Sequence, residues 1–267
     1  MATAEIAVLG GKGFVGSAIV AAARAQGRDV LAVDVEEYPA AVGSVCRTLI
    51  NANGNSKKYL ADRDPCREFD ASVRSVARAL HDFRFERYVQ LSTMDVYADK
   101  GDPAHNDEQA PIEPLRLSRY GHHKWLAEEL VRFNARAWLI VRMGGFVGPG
   151  LRKNSIYDML KGVPLRVHPD SCYQYQHSAD LARIVLELVD RGAFGERFNV
   201  AGEGGMRLRD IAALIPGYDP GRCPADAPIE RCDLNIEKIK AVCRVAPTRE
   251  TVAAFVRRVL DGTERLA

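Results

Sequence analysis

Two Tyr-x-x-x-Lys pairs in this sequence have the spacing of an acid–base site. One pair is Tyr120 with Lys124, and the other is Tyr157 with Lys161. Residues four apart lie on one face of a helix, so each lysine would be next to its tyrosine. A nearby ammonium stabilises a phenolate, which lowers the pKa of the tyrosine and makes it a usable acid or base near neutral pH. The spacing alone favours neither pair.

The position along the chain favours Tyr120 and Lys124. Thr93 lies at the end of the apolar run Tyr88–Leu91, which is typical of a buried strand, and Tyr120 comes after it. Parallel sheets bind ligands at the carboxyl ends of their strands, where Thr93 is expected. The sequence therefore predicts Thr93, Tyr120 and Lys124 as catalytic residues, with Thr93 bound to the reacting oxygen. Tyr157 has no such strand end and is interpreted as part of an ordinary helix surface.

A glycine-rich turn near the N-terminus has the spacing of a pyrophosphate-binding loop. Gly10, Gly13 and Gly16 follow an apolar run and open a helical pattern. Glycines there allow a close approach of the backbone, and the free N–H groups of the helix favour a phosphate. Asp34 ends the next apolar run, where a carboxylate accepts the ribose hydroxyls of NAD and repels the 2′-phosphate of NADP. Because no arginine follows Asp34, the sequence predicts NAD as the cofactor.

The elements that must position these residues alternate between short apolar runs and helical patterns. Strands are predicted over Glu5–Leu9, Asp29–Val33, Thr48–Ile50, Tyr88–Leu91, Trp138–Val141 and Arg197–Val200. Runs that are apolar on both faces are typical of buried parallel strands, and the helical patterns between them indicate crossover helices. We therefore predict a doubly wound parallel α/β sheet, that is, a Rossmann fold.

Glycine and proline become frequent after the fifth predicted strand, and the remaining helical patterns are short. This change indicates a small, loop-rich C-terminal lobe. The predicted domains are residues 1–148, an NAD-binding Rossmann domain completed by residues 177–201, and residues 149–267, a small substrate-binding lobe.

The composition argues against several classes of protein. The 267 residues include 37 Lys or Arg and 35 Asp or Glu, so the net charge is +2, and no basic block indicates nucleic-acid binding. No apolar run is long enough to span a membrane, and the N-terminus lacks signal-peptide features, which predicts a cytoplasmic protein. The six cysteines form no Cys-x-x-Cys pair, and His122 and His123 are expected on a helix face turned away from the cofactor. We therefore predict no metal site.

Together these motifs resemble the NAD-dependent epimerase/dehydratase family, the extended branch of the short-chain dehydrogenase/reductase superfamily. The matching pieces are the glycine turn, Asp34, Leu91–Tyr97, Tyr120 with Lys124, Arg142–Pro149 and Gln176–Leu181. The resemblance implies hydride exchange between NAD and a secondary alcohol or ketone of a sugar-like substrate, which is often nucleotide-activated. Tyr120 would transfer the proton, Lys124 would bind the nicotinamide ribose, and Thr93 would hold the substrate oxygen. Retention of the cofactor would give an epimerase, and release of NADH a dehydrogenase.

The resemblance also sets expectations for further contacts. The predicted cofactor site comprises Gly10, Gly13, Phe14, Val15, Gly16, Asp34, Asn51, Ala52, Leu91, Tyr120, Lys124 and Met143. The predicted substrate contacts are Thr93, Asp95, Gly145, Asn154 and Tyr173. Asp95 stands where the family's dehydratases often carry glutamate, so dehydration that uses Asp95 is an alternative chemistry. A catalytically silent NAD-binding sensor or scaffold is the alternative from another class.

Three departures from the family qualify these expectations. The segment between Asp34 and Leu49 is too short for the helix, strand and helix that the family usually places there, so that strand is predicted to be absent. Gly145 and Tyr173 stand where members that bind nucleoside diphosphates often carry asparagine and arginine. The glycine and the tyrosine at these two positions weaken the prediction of a nucleotide-activated substrate.

Related proteins form dimers through two helices, which correspond here to the segments around Arg74–His81 and Leu117–Asn134. A homodimer is therefore predicted. In this prediction Leu126, Leu130 and Phe133 line the core, while Trp125 and Val131 face the partner.

Overall fold

The computed structural model describes residues 2–267, which form two compact units. The first unit contains the residues up to Ala98 together with Glu108–Met143 and Leu181–Phe198. The second contains Asp99–Asp107, Gly144–Asp180 and Asn199–Ala267. This division assigns residues 99–107, 144–148, 177–180 and 199–201 to the second unit, whereas the sequence-based boundaries assigned them to the first domain.

The six predicted strands are present, and their bounds lie within a few residues of the predicted ones. The strands are β1 Thr3–Leu9, β2 Val30–Val33, β3 Val45–Asn51, β4 Arg84–Thr93, β5 Trp138–Met143, β6 Gly145–Val147, β7 Cys172–Tyr173, β8 Tyr175–His177, β9 Glu196–Val200, β10 Met206–Arg207 and β11 Arg231–Cys232. The helices are α1 Phe14–Ala25, α2 Tyr38–Ala41, α3 Leu60–Arg63, α4 Pro65–Phe69, α5 Ser75–Asp82, α6 Arg119–Asn134, α7 Ser155–Leu160, α8 Ser178–Asp190, α9 Leu208–Ala212, α10 Glu237–Lys240 and α11 Thr248–Leu260. None of the helices in residues 2–267 is both long enough and apolar enough to cross a membrane.

A central sheet of the described residues has the strand order β2-β1-β3-β4-β5-β9. The neighbouring pairs from β2 to β5 are all parallel. Successive apolar residues of these strands, such as those of β1, are buried, because elements cover the sheet on both faces. The predicted parallel α/β fold is confirmed.

The connection from β2 to β3 contains only the single helical turn α2, and no strand lies among the described residues 34–44. The predicted absence of a strand at this place is therefore confirmed. Tyr38 in α2 packs edge-on against the ring of Phe83 and donates a hydrogen bond to Asp82 at 3.0 Å. These contacts hold the short connection against the end of α5.

The segment before β4 is helical throughout, but its register changes part-way. Residues Asp70–Arg74 form a π-helical turn between α4 and α5. Asp64 caps the start of α4 by accepting the backbone N–H of Arg67 at 3.0 Å. A π turn contains more residues than an α-helical turn, so the side chains that follow it point in a different direction. Such turns are frequent at functional sites.

The faces of α6 differ from the prediction. Val131, predicted to meet a partner, is fully buried in the core, while Phe133, predicted to line the core, is 90% exposed. The reason is that the buried face of α6 carries Tyr120, Lys124 and Glu128 before Val131. The prediction took the face with the most apolar residues as the inner face, but the inner face of α6 carries several polar residues.

The second unit contains a three-stranded sheet in the order β10-β7-β11 and the parallel pair β6-β8. Asn154 caps α7 by accepting the backbone N–H of Tyr157 at 2.9 Å. The backbone of Asn154 has a φ of 142°, a conformation that few residues other than glycine adopt.

Candidate active site

The glycine turn between β1 and α1 has no space for a side chain at Gly16 and disfavours one at Gly10. Gly10 has a φ of 72°, and a Cβ atom on Gly16 would lie 2.1 Å from the Gly10 carbonyl oxygen. Gly13 precedes the first turn of α1, to which no side chain supplies a cap. The half-buried Phe14 and Val15 follow in that turn. The first backbone N–H groups of α1 have no side-chain cap, and such groups can bind the pyrophosphate of a dinucleotide.

Asp34 lies against the glycine turn, at the end of β2. Its carboxylate accepts the backbone N–H of Lys12 at 3.1 Å and that of Val35 at 2.8 Å. The Lys12 ammonium is ion-paired with Glu37, which raises the pKa of that lysine, and it lies 4.0 Å from Glu36. A surplus of carboxylates therefore surrounds this position, which suits ribose hydroxyls better than a phosphate.

Thr93 and Asp95 lie at the carboxyl end of β4 and are bonded to each other. The Thr93 hydroxyl accepts the backbone N–H of Asp95 at 3.2 Å and donates to Oδ2 of Asp95 at 3.0 Å. Asp95 is buried, and the ammonium of Lys58 contacts its Oδ2 at 2.6 Å and Oδ1 at 2.9 Å. Lys58 was not predicted, because it belongs to a polar segment without periodicity, and nothing in that segment indicates a contact with Asp95.

The start of α6 packs directly against this strand end. Ser118 caps the helix by accepting the N–H of Gly121 at 3.1 Å. A Cβ atom on Gly121 would lie 2.0 Å from the carbonyl oxygen of Asp95. Only glycine permits this approach, which brings the buried side chains of Tyr120 and Lys124 to the end of β4.

The hydroxyl of Tyr120 donates a hydrogen bond to the carbonyl oxygen of Asn55 at 3.1 Å. Burial, followed by the nearby charges of Asp95 and Glu68, raises the pKa of Tyr120 above its ordinary value. The pKa of Lys124 is lowered by its own burial. The expected lowering of the tyrosine pKa by Lys124 is therefore wrong for this state of the protein, because desolvation and two carboxylates determine the direction.

His123 is buried, although the sequence analysis placed it on an outer helix face. Its Nδ1 is bonded to Oε2 of Glu68, and the Ser72 hydroxyl donates to Oε1 of Glu68. Both Glu68 and Ser72 are fully buried. The spacing provides the signal that was overlooked, because His123 follows Tyr120 by three residues and so shares its helix face.

The other predicted cofactor contacts surround the ends of β3, β4 and β5. The carbonyl oxygen of Ala52 would lie 3.0 Å from a Cβ atom on Gly10, so Ala52 borders the glycine turn. Met143 is half-buried and pairs with Thr93 in the register of β4 and β5. The side chains of Asn51 and Leu91 are instead buried, and Asn51 donates to the hydroxyl of Tyr88 at 2.8 Å.

Three predicted substrate residues lie in the second unit and have structural contacts there. The N–H of Gly145 donates to the carbonyl of Gln174 at 3.1 Å, and Asn154 donates to the carbonyl of Phe146 at 2.8 Å. The Tyr173 hydroxyl donates to Glu230 at 2.8 Å. Their contacts with a substrate stay a prediction.

The second Tyr-x-x-x-Lys pair also lies in the second unit. The Lys161 ammonium is 5.6 Å from the ring centroid of Tyr157. This contact is a cation–π pair between Tyr157 in α7 and the residue that directly follows this short helix.

Comparison with known families finds a match for the middle part of the chain. Residues 70–201 match the model described as the NAD dependent epimerase/dehydratase family. Just under half of the chain is therefore similar to this family. The matched segment includes Thr93, Tyr120 and Lys124, whereas the glycine turn and Asp34 precede it. No curated protein matches the sequence.

Solved structures share the fold of this chain at low sequence identity. MoeE5 in complex with UDP-glucuronic acid and NAD has a TM-score of 0.81 and 19% identity, over 97% of this chain and 99% of that one. A UDP-galactose 4-epimerase has a TM-score of 0.78 and 22% identity, over 96% and 99%. TunA, an NAD dependent NDP-hexosamine 5,6-dehydratase of tunicamycin biosynthesis, has a TM-score of 0.78 and 16% identity, over 97% and 98%.

Proposed function

We propose that the protein is an NAD-dependent oxidoreductase or epimerase that acts on a secondary alcohol or ketone of a sugar-like substrate. The observation that supports this proposal is the close packing of Gly121 on Asp95, which brings the helix of Tyr120 and Lys124 against the strand end that carries Thr93. The names of the structural neighbours support a nucleotide-activated sugar as the substrate class.

The residues present fit NAD. The glycine turn would hold the pyrophosphate, Asp34 would accept the adenosine ribose hydroxyls, and Lys124 would bind the nicotinamide ribose. The bound cofactor would supply a hydride acceptor, or a hydride donor in its reduced form. The acidic surroundings of Asp34 favour NAD over NADP.

Tyr120 would move the proton at the substrate oxygen. Its hydroxyl would exchange the hydrogen bond to Asn55 for one to the substrate, and Thr93 would turn its hydroxyl from Asp95 to the same oxygen. The raised pKa of Tyr120 makes the phenol its resting form, which is the form that donates a proton to a ketone. In the oxidation direction, the ammonium of Lys124 would stabilise the phenolate.

Dehydration is the alternative chemistry, because Asp95 is a buried carboxylate one hydrogen bond from Thr93. A carboxylate at such a place serves as a base after its ion pair with Lys58 opens. A dehydratase product would be lighter than the substrate by one water, whereas an epimerase product would have the same mass. A silent NAD-binding sensor would give neither product.

The test compares the two tyrosines. Tyr120→Phe removes one oxygen and keeps the ring, so we expect NAD to bind as before and turnover to fall about 100-fold or more, the usual contribution of a positioned acid–base group. Tyr157→Phe is the matched control and should change turnover little. The measurements are NAD affinity by calorimetry and NADH formation or product mass with a panel of sugars, polyols and nucleotide sugars.

The opposite result would place the active site elsewhere. If Tyr157→Phe abolished turnover while Tyr120→Phe did not, the proposed catalytic residues would be wrong. If the wild-type protein bound NAD and turned over no substrate of the panel, the sensor hypothesis would be favoured.

We also propose that Gly145, Asn154 and Tyr173 contact the substrate, that the second unit is the substrate-binding lobe, and that the protein works in the cytoplasm as a homodimer.

A further inference from the structure

A short segment of the connection between β3 and α3, residues 54–58, lies against the proposed acid–base site. The carbonyl oxygen of Asn55 accepts a hydrogen bond from the Tyr120 hydroxyl at 3.1 Å. The ammonium of Lys58 lies 2.6 Å from Oδ2 of Asp95, a buried carboxylate. The segment therefore holds the proposed proton donor through its backbone and the neighbouring acid through a side chain.

The same segment approaches the lysine of the site. A Cβ atom on Gly54 would lie 3.3 Å from the ammonium nitrogen of Lys124, and Gly54 has a φ of 139°, which disfavours any side chain at this position. The backbone of the segment therefore passes close to this ammonium. The Asp95 oxygen that contacts Lys58 also accepts the Thr93 hydroxyl at 3.0 Å. Each of the three proposed catalytic residues is thus next to the segment or bonded to a group that the segment holds.

The segment is folded as one unit. The side chain of Asn55 accepts the backbone N–H of Lys57 at 2.8 Å and donates to the carbonyl oxygen of the same residue at 2.9 Å. These two bonds close a turn, which joins the carbonyl bonded to Tyr120 with the ammonium bonded to Asp95. Because one turn carries both groups, we expect the two contacts to form and break together.

The carbonyl of Asn55 takes the place that a substrate oxygen needs at Tyr120. A ketone that is to be protonated accepts a hydrogen bond from the phenol, and the peptide carbonyl now accepts that bond. The hydroxyl has a single proton to donate, so it cannot serve both acceptors in this way. Both oxygens of Asp95 are likewise contacted by Lys58, at 2.6 and 2.9 Å. A peptide carbonyl and an ammonium of the chain itself therefore occupy the groups that would receive a substrate.

We propose that residues 54–58 are an autoinhibitory latch, which covers Tyr120 and has to open before a substrate oxygen can bond to this hydroxyl. The ion pair between Lys58 and Asp95 holds the latch closed. The side chain of Lys58 is 57% exposed, so its ammonium can return to water when the latch opens. A ligand binds more weakly in proportion to the fraction of protein that is competent to bind it, so the latch lowers the affinity for substrate. This consequence rests on the proposed function, whereas the closure over Tyr120 does not.

The test measures access to Tyr120 in the protein without cofactor or substrate. Tetranitromethane nitrates accessible phenol rings, and mass spectrometry of the digested protein gives the rate at each tyrosine, with the exposed Tyr59 as the internal reference. Lys58→Met with Asp95→Asn removes both charges of the pair, so no buried charge is left without a partner. We expect Tyr120 to be nitrated at least about threefold faster in this double variant, because the reaction follows the population of the open form and an ion pair with an exposed member contributes modestly to closure.

The matched control removes an ion pair outside the latch. Arg116→Met with Glu113→Gln deletes an exposed pair whose charged atoms lie 2.8 Å apart, and the nitration rate of Tyr120 should stay at the wild-type value. Lys58→Met alone is the second variant, because replacement of this exposed side chain does not endanger folding. It is followed by deuterium exchange, which does not depend on the ionisation of Tyr120, and we expect faster exchange of the amides of residues 54–58.

Three results would overturn the inference. They are an unchanged nitration rate of Tyr120 in the folded double variant, unchanged amide exchange in Lys58→Met, and an equal acceleration of nitration by the control pair.

Failure of this inference is distinguishable from failure of the proposed function. Turnover of the substrate panel by the wild-type protein tests the function, whereas nitration and exchange are measured on the protein alone. Faster nitration of Tyr120 in the double variant, with no turnover by the wild type, would support the latch and contradict the proposed function. Turnover by the wild type with unchanged nitration in the double variant would contradict the latch and support the function.

Discussion

Two side chains at the end of β4 are held by contacts that a substrate would have to break. The Tyr120 hydroxyl is bonded to the carbonyl of Asn55, and the Lys58 ammonium is bonded to Asp95. Asn55 and Lys58 both belong to the segment between β3 and α3. A substrate oxygen that reaches Tyr120 therefore replaces Asn55 as its partner, so access to the proposed acid depends on this segment.

Asp34 should set the preference between the two nicotinamide cofactors. A 2′-phosphate a few Å from this carboxylate would be repelled, and even a screened repulsion of about 1.4 kcal/mol is tenfold in affinity. We expect NAD to bind at least about tenfold more tightly than NADP, and Asp34→Asn to reduce that ratio. Calorimetric titration with both cofactors measures it, with Glu86→Gln, which removes an exposed carboxylate near the start of β4, as the control. Tighter binding of NADP by the wild-type protein would contradict the prediction.

Residues next to strand ends could be predicted from the sequence, whereas residues from other segments could not. Thr93 and Asp34 could be proposed as site residues because an apolar run shows where each strand ends, and parallel sheets bind ligands at these strand ends. Lys58 contacts Asp95 across 37 positions of sequence, and no local pattern indicates such a contact. The raised pKa of Tyr120 could not be predicted either, because it depends on burial and on the charges of Asp95 and Glu68, which both lie outside α6.

At the scale of elements, α6 can approach the end of β4 because Gly121 has no side chain. Alanine normally stabilises a helix relative to glycine by about 1 kcal/mol. In Gly121→Ala the new methyl would overlap the carbonyl oxygen of Asp95, 2.0 Å from its ideal position. Overpacking of this kind costs about 1–3 kcal/mol, so we expect Gly121→Ala to lower the free energy of unfolding and to reduce turnover by displacing Tyr120. Chemical denaturation and activity assays measure both effects.

Gly13→Ala is the control for this prediction. Gly13 also lies at the start of a helix and has a φ of −73°, and its added Cβ would meet a carbonyl oxygen at 3.1 Å. This contact is tight but can relax, so the loss of stability should be clearly smaller than for Gly121→Ala. If Gly121→Ala were as stable as the wild type or more so, the close packing of α6 on the end of β4 would be refuted.

The elements themselves could largely be predicted from the sequence, but the orientation of α6 could not. Buried parallel strands produce continuous apolar runs that stand out in the sequence. The inner face of α6 instead carries Tyr120, Lys124 and Glu128, so the hydrophobic residues do not mark it. The π turn was missed as well, because a change of helical register has no simple residue signature.

At the scale of the whole molecule, the homodimer stays a prediction, and the structure changes which residues should carry it. Val131 is buried in the core and cannot meet a partner, whereas Phe133 near the end of α6 is 90% exposed. An exposed aromatic side chain on a helix proposed to form a two-fold interface is a suitable anchor.

The corresponding prediction is that Phe133→Glu weakens the dimer. A charge buried at an interface without a partner is strongly unfavourable, so this variant should shift the molar mass from that of two chains toward that of one. Leu115→Glu is the control, because Leu115 is fully exposed in the turn Pro114–Arg116, outside both proposed interface helices. Light scattering at several protein concentrations in the micromolar range measures the mass. A wild-type mass of one chain would refute the homodimer, and an equal effect of both variants would place the interface elsewhere than α6.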